Sequence, residues 1–386
     1  MPETEFDAAV VGAGIAGASF AYTLTPHARV LLLERESQPG MHSTGRSAAM
    51  FMESYGPPQV RALTRASRAF YTRPPPGFAE VPILSPRGAL YVARGDQHRA
   101  LDTLMRELSA TGKGIERVSA ADCLRRVPVL REAGLLGGVF EADAMDIDVH
   151  ALHQGYLSGF KQQGGTLWCD AEVTQGVASG GQWSIDLADG RRVRCRTLVN
   201  AAGAWADELA KRCGALPLYI QPKRRSAFTF PAPAGVDVRA WPTVADVEER
   251  WYFKPDAGQL LGSPANADPV PAHDVVPEEL DIATGIAAIE AATTLTIRRP
   301  TRTWAGLRSF SPDGELVIGW DTTRTGLFWI AGQGGYGIQS ASGAAQLATA
   351  LWLGAQLPEA LRAQGVQAHA LEPARLQFLT PDATLF

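Results

Sequence analysis

Cysteine is scarce and poorly placed for metal or redox work. The 386 residues hold four, Cys123, Cys169, Cys195 and Cys213, with no C-x-x-C pair and no metal-ligand spacing. This excludes a redox-active disulfide and a zinc site, and predicts reduced, buried thiols. No apolar run approaches the roughly 18 residues of a membrane-crossing helix. There is no excess of basic charge either. The net charge of −4 argues against nucleic acid as a partner. The opening M-P-E-T-E-F-D is acidic and has no leader-like apolar core, so a cytoplasmic location is expected. With 46% hydrophobic and 20% charged residues, the chain can form one large core or two domains.

The most informative stretch is A-V-V-G-A-G-I-A-G-A-S-F-A followed by R-V-L-L-L-E. An apolar strand over 8–11 runs into Gly12, Gly14 and Gly17, a helix pattern follows, and a second strand over 30–33 ends in Glu34. The first glycine allows a tight turn, the second lets backbone approach a pyrophosphate, and the third lets helix and strand pack closely. The helix N-terminus offers free N–H groups to the anion. Glu34 follows Gly14 by 20 positions, where a carboxylate accepts from a ribose hydroxyl and repels a 2′-phosphate. The ligand expected is therefore FAD or NAD rather than NADP.

Further along, R-E-S-Q-P-G-M-H-S-T-G-R-S-A-A-M reads as a loop entering a helix at 47–50. Ser43, Thr44 and Arg46 suit a diphosphate or a flavin edge, against the alternative of a plain cap with a surface arginine. Helices are predicted at 60–71, 100–108, 120–127 and 281–292, another after the glycine-rich turn that follows 331, ending near 353, and another starting at Asp148, whose carboxylate can cap it. Strands are predicted at 84–93, 138–142, 166–173, 183–187, 192–195, 198–200 and 327–331, and in Q-P-K-R-R-S-A-F-T-F, E-R-W-Y-F-K-P-D and T-T-L-T-I-R-R-P. His150 and His153 stand three apart with no third ligand nearby, so no metal site is expected. Gly332, Gly334 and Gly337 repeat the G-x-G-x-x-G spacing, but no second βαβ half follows. That turn instead aims a helix N-terminus at developing negative charge.

V-V-G-A-G-I-A-G, H-S-T-G-R-S-A-A, N-A-A-G-A-W, G-L-R-S-F and G-Q-G-G-Y-G-I-Q occur in that order. Together they resemble the D-amino-acid oxidase superfamily of FAD enzymes. More narrowly, D-V-H-A-L-H-Q-G-Y-L, Q-P-K-R-R-S-A-F, K-P-D-A-G, L-L-G-S-P-A-N-A-D-P-V and T-W-A-G-L-R-S-F are similar to bacterial D-arginine dehydrogenases. The resemblance implies an α/β fold: a Rossmann-like FAD-binding domain from segments 1–55, 143–215 and 306–386, and a substrate domain with a mixed sheet from 56–142 and 216–305. It implies FAD held non-covalently by Gly12, Gly14, Gly17, Glu34, Arg35, Ser43, Thr44, Arg46, Ser47, Ala48, Val173, Gly203, Gly334, Gly335, Tyr336, Gly337, Ile338 and Gln339. It implies that Arg225 and Arg308 grip a substrate carboxylate, with Tyr252 beside them, Tyr55 near the amino group, and Gly335 and Tyr336 in the pocket. Two positions depart from the pattern. Met50 stands where those dehydrogenases carry a His, and Ala89 where they carry the acid that pairs with the substrate guanidinium.

A cationic side chain would therefore be buried unpaired, and Met50, Phe51, Met52 and Ala89 predict an apolar, adaptable pocket. The implied reaction is hydride transfer to the flavin from the Cα of a D-amino acid with an apolar or neutral side chain, giving an imino acid that hydrolyses to a 2-oxo acid and ammonia. An N-alkyl amino acid, a 2-hydroxy acid and a non-catalytic flavoprotein are the alternatives. The electron acceptor (oxygen, a quinone or another) and the oligomeric state stay open.

Overall fold

A computed structural model describes residues 5–111 and 113–376. Two sheets dominate. In the first, Glu5–Val11 lies between Val30–Leu33 and Arg192–Asn200, all parallel, with Thr166–Trp168 beyond Val30–Leu33. The far side of Arg192–Asn200 is shared: its first half pairs antiparallel with Gln182–Leu187, and its end pairs parallel with Leu327–Ala331. Parallel strands covered on both faces need apolar residues at every position. Alternate residues serve the two cores: Ala8, Val10, Leu32, Val199 and Phe328 face one, and Ala9, Leu31, Leu33, Leu198 and Trp329 the other.

Over the first face pack the helices Ile15–Leu24, Pro58–Thr72, Val149–Gln162 and Gly337–Leu353. Small residues set their spacing. A methyl on Gly343 would stand 2.5 Å from the Leu63 carbonyl oxygen, and one on Gly159 would stand 2.4 Å from the Tyr22 ring. The Ser67 hydroxyl meets the Gly343 N–H at 2.8 Å, and Tyr71 donates to the Ile338 carbonyl.

The second sheet runs Arg302–Phe310, Gln221–Pro231, Gln259–Ser263, Tyr252–Asp256, Thr243–Asp246, Ala89–Arg94, Leu135–Glu141, Ile115–Val118. It is antiparallel except where Thr243–Asp246 meets Ala89–Arg94. One face buries Leu90, Val92, Phe228, Phe230, Val244, Phe253 and Leu260 against the helix Glu279–Ala292. By the two-residue period of a strand, the other face carries Ala89, Tyr91, Thr243, Ala245, Tyr252, Lys254, Arg225, Ala227 and Arg308. A small sheet of Met50–Phe51, Met145–Ile147 and Leu84–Pro86 joins the two bodies.

Several expectations change. Residues 47–49 are not helical, and Met50–Phe51 is a strand, because its ladder to Met145–Ile147 comes from far along the chain. The strand expected over 84–93 is two, separated at Gly88, whose φ is +71°. T-T-L-T-I-R-R-P forms no strand and makes only an isolated bridge, Leu130 to Thr293. The cores also divide the chain differently from the expected boundaries in two places. Pro58–Thr72 packs in the nucleotide-side core rather than in the substrate domain, and the boundary at 305/306 cuts a continuous strand that stays paired with Gln221–Pro231 through Phe310.

Candidate active site

A long cleft lies between the two sheets. One half, an open space of about 1130 Å3, is bordered by Gly12, Gly14, Glu34, Arg35, Val173, Gly203 and Trp205. The other, of about 1410 Å3, is bordered by Met50, Met52, Tyr55, Ala89, Arg225, Tyr252 and Arg308. Ile15, Ser43, Thr44, Leu307, Gln333 and Gly334 border both halves.

The nucleotide half is built on the glycine turn. Gly12 has φ +103°, and a methyl there would stand 2.4 Å from the Ala201 carbonyl oxygen. A methyl on Gly17 would stand 1.9 Å from the Gly12 carbonyl oxygen, so Gly17 serves the turn by packing and does not border the cleft. Glu34 is buried, and its carboxylate accepts from Ala13 N–H at 3.0 Å and Glu36 N–H at 3.1 Å. Burial pushes its carboxyl above the usual range, and those two donors oppose that shift. His153 takes a role the sequence did not announce. Buried beneath the turn, its Nε2 lies 2.8 Å from the Ala13 carbonyl oxygen, and burial holds its pKa down, so the neutral ring donates there. Thr44 Oγ1 accepts from Ile15 N–H at 3.0 Å, in the first turn of the helix.

A dinucleotide fits this half. The turn has no room for Cβ atoms, a helix N-terminus faces it, and an acid ends the second strand. Ser43, Thr44, Ser47, Ala48, Gly334, Gly337, Ile338 and Gln339 border the other half. Two expected contributors sit differently. The Arg46 guanidinium is already engaged by Asp274 at 2.5 Å and by the carbonyls of Val275 and Ala305, so it ties two segments together rather than presenting a free charge. Tyr336 does not border the cleft. It stands behind Tyr55 with ring centroids 5.2 Å apart, and against Phe310 at 6.2 Å.

In the substrate half, register decides what meets. Arg225 is paired with Gly306 and Lys223 with Arg308, so Arg225 and Arg308 emerge on one face of adjacent strands. Arg224 points the other way, into Asp268, Glu278 and Asp281. Neither Arg225 nor Arg308 has a carboxylate partner among the described residues, although Arg225 Nε donates to the Asn266 carbonyl at 2.6 Å. Burial, then the neighbouring Arg308 charge, lowers the Arg225 pKa. A guanidinium stays protonated regardless, so the two bring a double positive charge to the cleft. The Arg308 head lies against the Gly335 backbone, where an added methyl would stand 3.0 Å from Nη1. Gln339 ties Met52 to Tyr55, accepting from Met52 N–H and donating to the Tyr55 carbonyl.

The pocket is less apolar than expected. Met50, Met52 and Ala89 border it, but so do Tyr91, Thr243, Glu249 and Lys254. The Thr243 hydroxyl donates to Met50 Sδ at 3.2 Å. Lys254 could have been anticipated: in W-Y-F-K it lies two residues after Tyr252 and so shares its face. Glu249 could not, because its φ of +54° belongs to a turn that only the fold imposes.

The sequence profile of the DAO family, FAD dependent oxidoreductases, matches residues 7–351. An L-2-hydroxyglutarate dehydrogenase of Salmonella houtenae is 28% identical over 56% of this chain and 51% of its own length. The match thus spans about half of that relative. A D-amino acid dehydrogenase of Vibrio cholerae is 26% identical over 68% of this chain and 62% of its own length. Among solved structures, glycine oxidase from Geobacillus kaustophilus superposes with a TM-score of 0.80 at 21% identity, covering 91% of this chain and 95% of that one. No helix among the described residues is long and apolar enough to cross a membrane. With a profile covering most of its length and a turn, acid and cleft that fit the dinucleotide, the chain belongs to the DAO family of FAD-dependent oxidoreductases.

Proposed function

We propose that the protein oxidises a 2-amino acid at Cα, with Arg225 and Arg308 holding its carboxylate. One observation carries this reading: two half-buried guanidinia on one sheet face, with no carboxylate partner among the described residues, against Tyr55 and Tyr252. Two like charges so placed call for an anion, and a carboxylate accepts two parallel hydrogen bonds from each fork. FAD, when bound, supplies the hydride acceptor. The protein's part is to fix the Cα–H toward it and to exclude water.

An amine substrate suits the surrounding groups better than a hydroxy acid. No imidazole borders this half of the cleft among the described residues, and an alcohol needs a strong base whereas an ammonium loses its proton to water or a tyrosine. Glu249, the one carboxylate bordering this half among those residues, can hold the ammonium before that loss. The D configuration rests on the family resemblance. The side chain leaves Cα along Met50, Met52 and Ala89, an apolar or neutral wall with no acid to answer a cation.

The test is anaerobic bleaching of the visible flavin band with D- and L-amino acids, N-methyl amino acids and 2-hydroxy acids. Reduction by D-amino acids with non-cationic side chains, and at least tenfold poorer reduction by D-arginine, is expected. Fastest reduction by a 2-hydroxy acid, or by D-arginine, would overturn the reading.

A further inference from the structure

Beyond the apolar wall, one row of the sheet carries Ala89, Thr243 and Lys254 side by side. Thr243 pairs with Ala89, and the register that sets Val244 against Phe253 and Ala245 against Tyr252 brings Thr243 opposite Lys254. All three border the cleft. The ladders Tyr252 to Ser263 and Phe228 to Gly262 place Lys254 four residues along the sheet from Arg225. At about 3.3 Å per residue that is about 13 Å along the strands, and with two strand spacings of about 4.8 Å between them their backbones lie about 16 Å apart, a gap the two long side chains close in part. Lys254 thus stands at the end of the cleft opposite the guanidinia.

Its ammonium is built in rather than loosely exposed. Lys254 is 6% exposed, and Nζ donates to Asp146 Oδ1 at 2.6 Å. Asp146 Oδ2 takes Arg87 Nε, also at 2.6 Å. One carboxylate shared by two cations leaves the trio with a net positive charge. An ammonium has three donors, and among the described residues only Asp146 accepts from this one. Lys254 borders the cleft and Asp146 does not. The cleft's own carboxylate, Glu249, makes no ion pair with Lys254 among the described residues. Glu141, one strand beyond Ala89, is turned to the Ser54 hydroxyl at 2.7 Å.

We infer that Lys254 receives an anionic group at the end of the substrate side chain, so that the substrates are 2-amino dicarboxylic acids. The 2-carboxylate lies on Arg225 and Arg308, the methylenes cross Met52 and Ala89, and the second carboxylate meets Lys254. Asp146 is a positioning residue that holds the ammonium in place. The inference rests on the amino-acid oxidation proposed above and narrows its side chain from non-cationic to acidic. A neutral amide of the same shape supplies no charge to the buried ammonium, so it is the discriminating competitor.

The experiment compares glutamate with glutamine, and 2-aminoadipate with leucine, in both hands, as reductants of the holoenzyme under anaerobic conditions. The acid is expected to exceed its amide in kcat/KM by at least tenfold. Lys254→Met should lower that ratio at least tenfold, and Lys254→Arg should restore part of it. A second arm needs no turnover: glutarate and its monoamide are titrated while following perturbation of the flavin spectrum, and the diacid should bind at least tenfold tighter. Amide matching acid in either arm, or an unchanged ratio in Lys254→Met, overturns the assignment. Tight glutarate binding without reduction by any amino acid would support Lys254 and refute the oxidation reading. Should Lys254→Met fail to fold, the two wild-type arms decide.

Discussion

Replacing Arg308 by Met tests the anion site at its centre. The variant keeps an unbranched apolar stem and removes one guanidinium fork. A hydrogen bond to a charged group contributes about 1.5–3 kcal/mol, and a fork makes two. With Arg225 still in place to compensate in part, a loss of about 3–4 kcal/mol is expected, or about 10²–10³-fold in kcat/KM. The assay is anaerobic rapid mixing, which separates the apparent Kd from the limiting rate of flavin reduction. Both should suffer, because the fork binds the carboxylate and also fixes the Cα–H. A change in Kd alone would mean that Arg308 contributes uniform binding and no orientation. Stability should change little. Burial and then Arg308 lower the Arg225 pKa, but Arg308 is itself held above its ordinary pKa, its burial outweighed by the tyrosines around it, so the two effects oppose and Tm should stay within a few degrees. Activity within about fivefold of wild type would remove Arg308 from the site. A lower Tm with loss of FAD would show its role to be structural.

Other perturbations probe separate parts. Gly335→Ala sets a methyl 3.0 Å from Arg308 Nη1 and should displace the guanidinium, lowering kcat/KM about tenfold while FAD is retained. Gly17→Ala sets one 1.9 Å from the Gly12 carbonyl oxygen, so the purified protein should be colourless or insoluble, as absorbance and yield will show. Glu141 is buried on the Ser54 hydroxyl, and burial pushes its carboxyl up to about 7. Its folded pKa exceeds the unfolded value of 4.5, so the native state binds more protons between those limits and this group's contribution to stability falls as pH rises from about 4.5 to about 7. Glu141→Gln should therefore raise Tm more at pH 8 than at pH 5, as differential scanning fluorimetry will show; an equal gain at both would refute the shift.

The cofactor half was legible because its signal is local. The strand, the glycine turn, the helix and the acid lie within residues 5–34, and each answers a steric or electrostatic demand that acts over a few residues. Even there, the third-layer support was hidden. His153 reaches the Ala13 carbonyl across 140 positions, and nothing in its own helix marks it. Helix ends with local caps, such as Asp148 accepting from Ala151, were equally readable. Residues 47–50 have a helical pattern locally but form no helix, because the partner of Met50–Phe51 lies almost a hundred positions away.

The substrate half is a product of tertiary structure. That one of Arg224 and Arg225 faces the cleft and the other an acidic cluster is set by a register between Gln221–Pro231 and Arg302–Phe310, and a one-residue slip would exchange them. Met50 and Ala89 border the cleft, yet its character is not theirs to give. Lys254 and Glu249 enter it from a strand and a turn some 160 positions beyond Ala89, held there by sheet pairing. Sequence determined the dinucleotide turn and the alternating faces of the strands, because those depend on neighbours in the chain. Which charges face one another across the cleft depends on strands far apart in sequence, and only the assembled sheet decided that.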